Sequence, residues 1–452
     1  MRIRNKTLHE KIKKFIVSSI SQLDNFSFKN PIPTKFEFFP ATKEKNDYFL
    51  FIFNHFNQLE KLPEFLDCAK YLLKNPITRK ALGWKDKEGN FLKDLPLELK
   101  YFRILHILLG TCVKLTDGFS FDNDIYEKVY QDFEKGIYSS FLVHKLTAPM
   151  EGIFGDFEEI NFGNRIKIRR ITNEEKESIT QQALFPSLVT VPKTGIWHLE
   201  FLLEGFYTHA KGTSIKTSTV TNEFKEIVTA LRLFKSGSVG YSYVKTKTLT
   251  WTTNQMGTSY GWGYSRQGII DIKSYELKKS EKPELLSLWR KYSKFRKSLG
   301  SLDTGRFFNL AIKWFNMGVE ENDYENKIID FFVSFEALCL PERSELSYRL
   351  SNRVALLLGR DCEESEKIRK FMIKAYKIRS DIVHGAKVSP IFIDGEKIHL
   401  RDFSKKVEQY LRDVLKTFLV LSGSHKKQAE IIELIDKALL DVKIRKKIHR
   451  LR

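Results

Sequence analysis

Apolar residues keep two different periods along this chain, and the change between them limits the architectures open to it. Asn164-Arg165-Ile166-Lys167-Ile168-Arg169-Arg170 alternates basic and apolar side chains, as a strand with one buried face does. Ile196 to Phe206 reads as a second strand, and Val239 to Trp251, rich in Thr, Val and Tyr, as a third. Between them, Thr221 or Asn222 would cap a helix whose apolar face is Phe224, Ile227, Val228, Leu231 and Phe234. From Lys282 onward the spacing changes to three and four and stays there. Segments 304–318 (Phe307, Leu310, Ala311, Trp314), 323–340 (Ile328, Phe332, Phe335, Leu338), 344–358 (Leu346, Leu350, Val354, Leu357) and 363–383 (Ile368, Met372, Ala375, Ile378) each present one apolar face. Their links are short, so successive helices are expected to be antiparallel neighbours. Asp394-Gly395 between apolar flanks signals a hairpin, and further helices are expected over about 403–421 and from 426.

Before residue 150 the pattern is mainly helical. Leu8, Ile12, Phe15, Ile16 and Ile20 give one face of a helix over 7–23, with lysines elsewhere around it; this suits a docked surface helix or one lying on a membrane. A proline-marked loop (Pro31, Pro33, Pro40), an aromatic run from Tyr48 to Phe53, helical segments near 57–74 and 97–116, and a polar turn at Lys85–Asn90 complete the region. His106 sits in an apolar helical pattern and reads as a core histidine. The expected fold is α+β and mostly α: a mainly helical region over 1–150, a mixed α/β region over 151–298, and an antiparallel helical bundle with a basic tail over 299–452.

At 452 residues the chain is long for one core. Its 76 Lys and Arg against 56 Asp and Glu leave a formal charge of +20, which favours polyanionic partners, nucleic acid first and acidic lipid second. That excess is uneven. Residues 301–452 carry 29 basic and 23 acidic side chains, and the last ten hold six of the basic ones and no acidic ones. The helical region without its tail is therefore close to neutral. Cys68, Cys112, Cys339 and Cys362 are far apart, with no histidine at ligand spacing, so no metal site, cofactor or disulfide framework is expected, and a cytoplasmic location fits. No apolar run reaches the length of a membrane span, and the basic N-terminal stretch has too short an apolar run for a signal peptide.

Two sets of residues suggest contact with RNA. Arg165, Lys167 and Arg169 would share one strand face, and Tyr241 and Tyr243, beside Lys245, would offer rings to unpaired bases; the same aromatics would equally pave a half-buried sheet. Gly257–Gly268 lacks the spacing of a phosphate loop.

The densest chemistry lies at the end of the fourth helical segment. Tyr376-Lys377-Ile378-Arg379-Ser380-Asp381-Ile382-Val383-His384-Gly385 sets a permanent cation beside a group that titrates near neutrality. Two readings are open. His384 would move a proton while Arg379 holds a scissile phosphate and its developing charge. Or the two are a helix-end cation and a capping histidine ahead of a terminating glycine. Glu336, on an otherwise apolar face, needs a partner that Arg349, Arg353 or Arg379 would supply, as a structural ion pair or as a group orienting the site.

Arg379 to His384 resembles the Arg-x4-6-His signature of HEPN domains (higher eukaryote and prokaryote nucleotide-binding). Phe335-Glu336-Ala337-Leu338, then Glu345 to Leu358, then Tyr376 to Gly385 are similar in order and spacing to the Apea-like branch, over about residues 305–425. The resemblance implies a metal-independent endoribonuclease with Arg379 and His384 as the catalytic pair. It also implies attack by the ribose 2′-hydroxyl to leave a cyclic phosphate, and a homodimer in which two signatures face one RNA cleft. Ser380 follows the arginine where family members often carry Asn, His or Asp, and Asp381 comes next. Apea-like members are associated with prokaryotic defence against phage. A HEPN module that binds RNA or protein without cleavage is the alternative.

Overall fold

The computed structural model describes residues 3–35, 45–75, 97–163, 165–176, 200–210, 217–241, 243–251, 259–262, 275–298, 303–342, 344–386, 390–393, 395–425 and 427–451. The fold is α+β and mostly helical, 65% helix and 15% strand. The polar turn expected at 85–90, residues 196–199 of the second expected strand, and most of 257–268 lie outside the described residues. The chain forms two compact units. The first is Met1–Lys145 with Phe206–Ile215 and Thr246–Ser259; the second is Leu146–Gly205, Lys216–Lys245 and Tyr260–Arg452. This division replaces the three consecutive regions expected from the sequence.

The first unit is built on α1 (Lys6–Ser27), α2 (Tyr48–Leu59), α3 (Pro63–Lys74), α4 (Leu97–Thr116) and α5 (Asn123–Tyr138). Asn5 caps α1 by accepting from the Leu8 N–H at 3.0 Å, and Leu8, Ile12, Phe15, Ile16, Ile20 and Leu23 are buried along its inner face. The membrane-lying alternative for this helix therefore falls, because its apolar stripe is the core of its own unit. The aromatic run is α2, capped by Asp47. In α5, an addition to the expected helices, Tyr126, Val129, Tyr130, Phe133 and Ile137 are buried, and the Glu134 carboxylate accepts from the Arg4 and Asn5 N–H groups at 2.8–3.1 Å. His106 is a core histidine: it is buried, its Nε2 lies 3.0 Å from the Phe49 carbonyl, and burial lowers its pKa.

Strands β1 (Phe141–Glu151), β2 (Ile153–Gly155), β3 (Glu159–Gly163), β4 (Ile166–Arg170) and β5 (Phe201–Ala210) precede α6 (Thr217–Phe234); all but Phe141–Lys145 of β1 and Phe206–Ala210 of β5 belong to the second unit. β3, β4 and β5 are antiparallel neighbours, Ile168 pairing with Ile160 on one side and Leu203 on the other. The strand expected over 239–251 divides into β6 (Gly240–Tyr241) and β7 (Tyr243–Thr248). Helix α6 begins at Thr217, so Thr221 and Asn222 lie inside it and not at its N-cap.

The helices after it are α7 (Lys282–Ser298), α8 (Asp303–Glu320), α9 (Tyr324–Cys339), α10 (Leu346–Leu358), α11 (Cys362–Val383), α12 (Leu400–Leu421), α13 (Gln428–Lys437) and α14 (Val442–Leu451), with the expected hairpin at 391–398 between α11 and α12. One apolar core unites them with Ala230 and Leu233 of α6 and Tyr292 and Phe295 of α7. The expected boundary near residue 299 is thus no break in packing. Two buried arginines reinforce the join. Arg232 of α6 donates to the Val239 carbonyl at 3.1 Å and to Asn316 Oδ1 at 3.0 Å and pairs with Glu320. Arg412 of α12 donates to the Arg232 carbonyl at 2.7 Å and pairs with Glu408. Each buried cation is thereby matched by hydrogen-bond acceptors and a carboxylate.

Candidate functional site

Helix α11 positions the candidate pair. Asp361 caps its N-terminus by accepting from the Glu364 N–H at 2.8 Å, and Ile368, Phe371, Met372, Ala375 and Ile378 anchor it to the core. At the other end the chain closes as a Schellman turn. Gly385, at φ +68°, donates to the Ile382 carbonyl at 3.0 Å, and Ala386 donates to the Asp381 carbonyl at 2.9 Å. His384 is the C-cap residue, its N–H donating to the Ser380 carbonyl at 3.0 Å, and it is exposed to solvent.

Arg379 is half-buried one turn back. Its Nη2 lies 3.4 Å from Glu336 Oε1 of α9, and its guanidinium sits 5.8 Å from the centre of the Tyr376 ring. Of the three arginines offered as partners for Glu336, Arg379 is the one that pairs with it. The contact is an ion pair and not a close hydrogen bond: Glu336 Oε1 and Arg379 Nε are both shielded from water without a hydrogen-bond partner among the described residues. Burial pushes the Glu336 pKa up; the Arg379 charge and a hydrogen bond from Tyr376 oppose that without cancelling it. Burial likewise raises the pKa of Tyr376, with the neighbouring Glu336 charge adding to the shift.

The remaining supporting residues go elsewhere. Arg353, buried in α10, donates to both Glu342 oxygens at 2.8 and 2.9 Å, to Asp436 at 2.8 and 2.9 Å, and to the Cys339 carbonyl at 2.6 Å. It ties α10 to α13 and to the link before it, and has no place beside Arg379. Arg349 pairs with Glu342 and Glu345 at 3.4 and 3.3 Å. The Ser380 and Asp381 side chains are half-buried, and neither makes a hydrogen bond to His384 among the described residues. Because α11 runs without a break to Val383, the five-residue offset turns His384 about 140° from Arg379 around the helix axis. One chain brings the two to the same helix end but onto different sides of it.

The expected RNA-binding face is not assembled. Arg165 lies in the β3–β4 turn at φ +63° and not on the strand. Lys167 pairs with Glu159 at 3.0 Å, and Arg169 with Glu204 at 2.8 Å and Glu175 at 2.6 Å, so their charges are met by carboxylates. Tyr241 and Tyr243 are buried, Tyr241 edge-on to Phe224, and Lys245 is half-buried; neither ring is open to a base. The acidic partners Glu175 and Glu204 carry no motif; the turn after β4 brings Glu175 to Arg169, and the β4–β5 register brings Glu204.

The chain matches no protein-family model, no curated protein and no solved structure.

Proposed function

We propose that this protein is a metal-independent endoribonuclease of HEPN type, with Arg379 and His384 as its catalytic pair. The observation that carries the reading is the end of α11, where an exposed C-cap histidine shares one helix end with an arginine tethered to a half-buried carboxylate. Arg379 is half-buried and not sealed in the core, and its permanent planar charge suits a phosphate and its developing charge. The ribose 2′-oxygen loses its proton and forms the new P–O bond; the 5′-oxygen leaves and takes up a proton, giving a 2′,3′-cyclic phosphate and a 5′-hydroxyl. His384 serves the proton transfers.

The angular offset between the two residues supports a homodimer in which two α11 ends face one cleft and each chain completes the other's site. A triggered RNase of prokaryotic anti-phage defence or stress response, in the cytoplasm, is the biology this reading favours, with the N-terminal unit as sensor or substrate platform. Arg379→Ala and His384→Ala are each expected to abolish cleavage of total RNA while leaving the protein folded and the dimer intact by sedimentation. Undiminished cleavage by either variant contradicts the mechanism.

One observation favours a second reading. Within the chain, among the described residues, no side chain orients His384, as a HEPN module that binds RNA or protein without cutting would allow. That reading expects RNA affinity to survive His384→Ala, with no cleavage at any protein concentration.

A further inference from the structure

The turn between α13 and α14 and the first residue of α14 point three large aliphatic side chains into solvent: Leu439 is 59% exposed, Leu440 91% and Val442 63%. The last residue of the turn, Asp441, is occupied in starting α14, its carboxylate accepting from the Lys443 N–H at 2.7 Å and the Ile444 N–H at 3.3 Å. The inner face of α14 is docked. Ile448 is buried, Ile444 is partly buried against the core, and Arg445 donates to the Asp361 carbonyl in the link between α10 and α11 at 2.8 Å and to the Ser365 hydroxyl in the first turn of α11. Its outer face is therefore fixed in direction. At 100° per residue, Lys443, Lys446, Lys447 and Arg450 fall within an arc of about 100°. All four are exposed, and none is ion-paired among the described residues. Lys437, by contrast, is engaged by Glu433 at 2.6 Å.

A row of unpaired cations that begins at an exposed aliphatic tip has two needs, anionic headgroups for the charges and an apolar phase for the leucines. A nucleic acid meets only the first, since aliphatic side chains offer no stacking surface to bases. We propose that the α13–α14 turn and the outer face of α14 dock the protein on an anionic bilayer surface, with Leu439, Leu440 and Val442 entering the headgroup boundary. The surface lies at the Asp361 end of α11. His384 is at the opposite end of that 22-residue helix, about 33 Å away along its axis, so the docking surface and the candidate site are separate. The inference does not depend on the nuclease reading.

The test is flotation of the full-length protein with vesicles of phosphatidylcholine alone or mixed with phosphatidylglycerol. Binding is expected to the mixed vesicles only and to weaken as salt is raised. Lys446→Gln and Lys447→Gln should each lower the partition coefficient about fivefold. A Leu439→Ser, Leu440→Ser double variant, which alters exposed side chains only, should lose flotation at physiological salt and keep the wild-type thermal melt. No flotation with anionic vesicles at low salt overturns the proposal. So does a serine variant that floats like wild type, because the surface would then be a site for any polyanion, RNA included.

Discussion

Glu336 is raised in pKa by burial yet faces a permanent cation, and the balance has a measurable sign. With the folded pKa above the unfolded value, ionising this carboxyl costs stability as pH rises through that window, and the cost persists at neutral pH. Glu336→Gln is therefore expected to be at least as stable as wild type at pH 7 by thermal melt. It also releases Arg379 from its tether, so cleavage should fall by about ten- to a hundredfold, the scale of a misplaced catalytic group. Unchanged cleavage would make the pair structural only. The histidines of the first unit give the opposite pH sign. His209 Nδ1 must donate to the Ala210 carbonyl at 2.9 Å, so in the neutral pair His144 Nε2 donates to His209 Nε2, also at 2.9 Å. Burial first, and then His209, lower the His144 pKa, as burial lowers that of His106. Stability held by neutral His144 and His106 is present above the unfolded pKa near 6.5 and is lost as pH falls below it. Denaturant midpoints measured between pH 7.5 and 5.5 should drop for wild type and drop less for His144→Gln. Arg353→Met strands Glu342, Asp436 and the Cys339 carbonyl, and should cost about 3 kcal/mol.

At the scale of elements, local spacing is informative wherever a helix buries one regular face. The segments expected at 304–318, 323–340, 344–358 and 363–383 are α8 to α11 within a few residues at each end. The Schellman end of α11 is legible in Gly385, because the left-handed backbone there suits glycine. A Cβ at that position would meet nothing within 4 Å, so Gly385→Ala should cost only about 1 kcal/mol of backbone strain. What spacing does not carry is pairing between distant segments. Alternation of Arg165, Lys167 and Arg169 suggests an open cationic face, but Glu159, Glu175 and Glu204 arrive through turns and strand register. The core shared by α6, α7 and the later helices joins residues up to 180 positions apart, as in the Arg412–Arg232 hydrogen bond. A fragment of residues 299–452 should accordingly melt well below one of residues 217–452, whereas equal melting temperatures would restore the boundary near 299.

At the scale of the whole molecule, the +20 charge favours a polyanion without choosing one. Among the described residues, no helix is long and apolar enough to cross a membrane. The candidate site divides between the sides of one helix, so the account rests on two chains meeting. Mixing Arg379→Ala with His384→Ala protein should restore part of the cleavage that each lacks, because the mixed dimer offers one intact arginine and one intact histidine across the cleft. The most direct measurement is incubation of wild-type and His384→Ala protein with total RNA in EDTA, followed by analysis of the ends produced. The account predicts 2′,3′-cyclic phosphate ends with wild type and intact RNA with the variant. Cleavage by both proteins, or wild-type cleavage that leaves other ends, would contradict it.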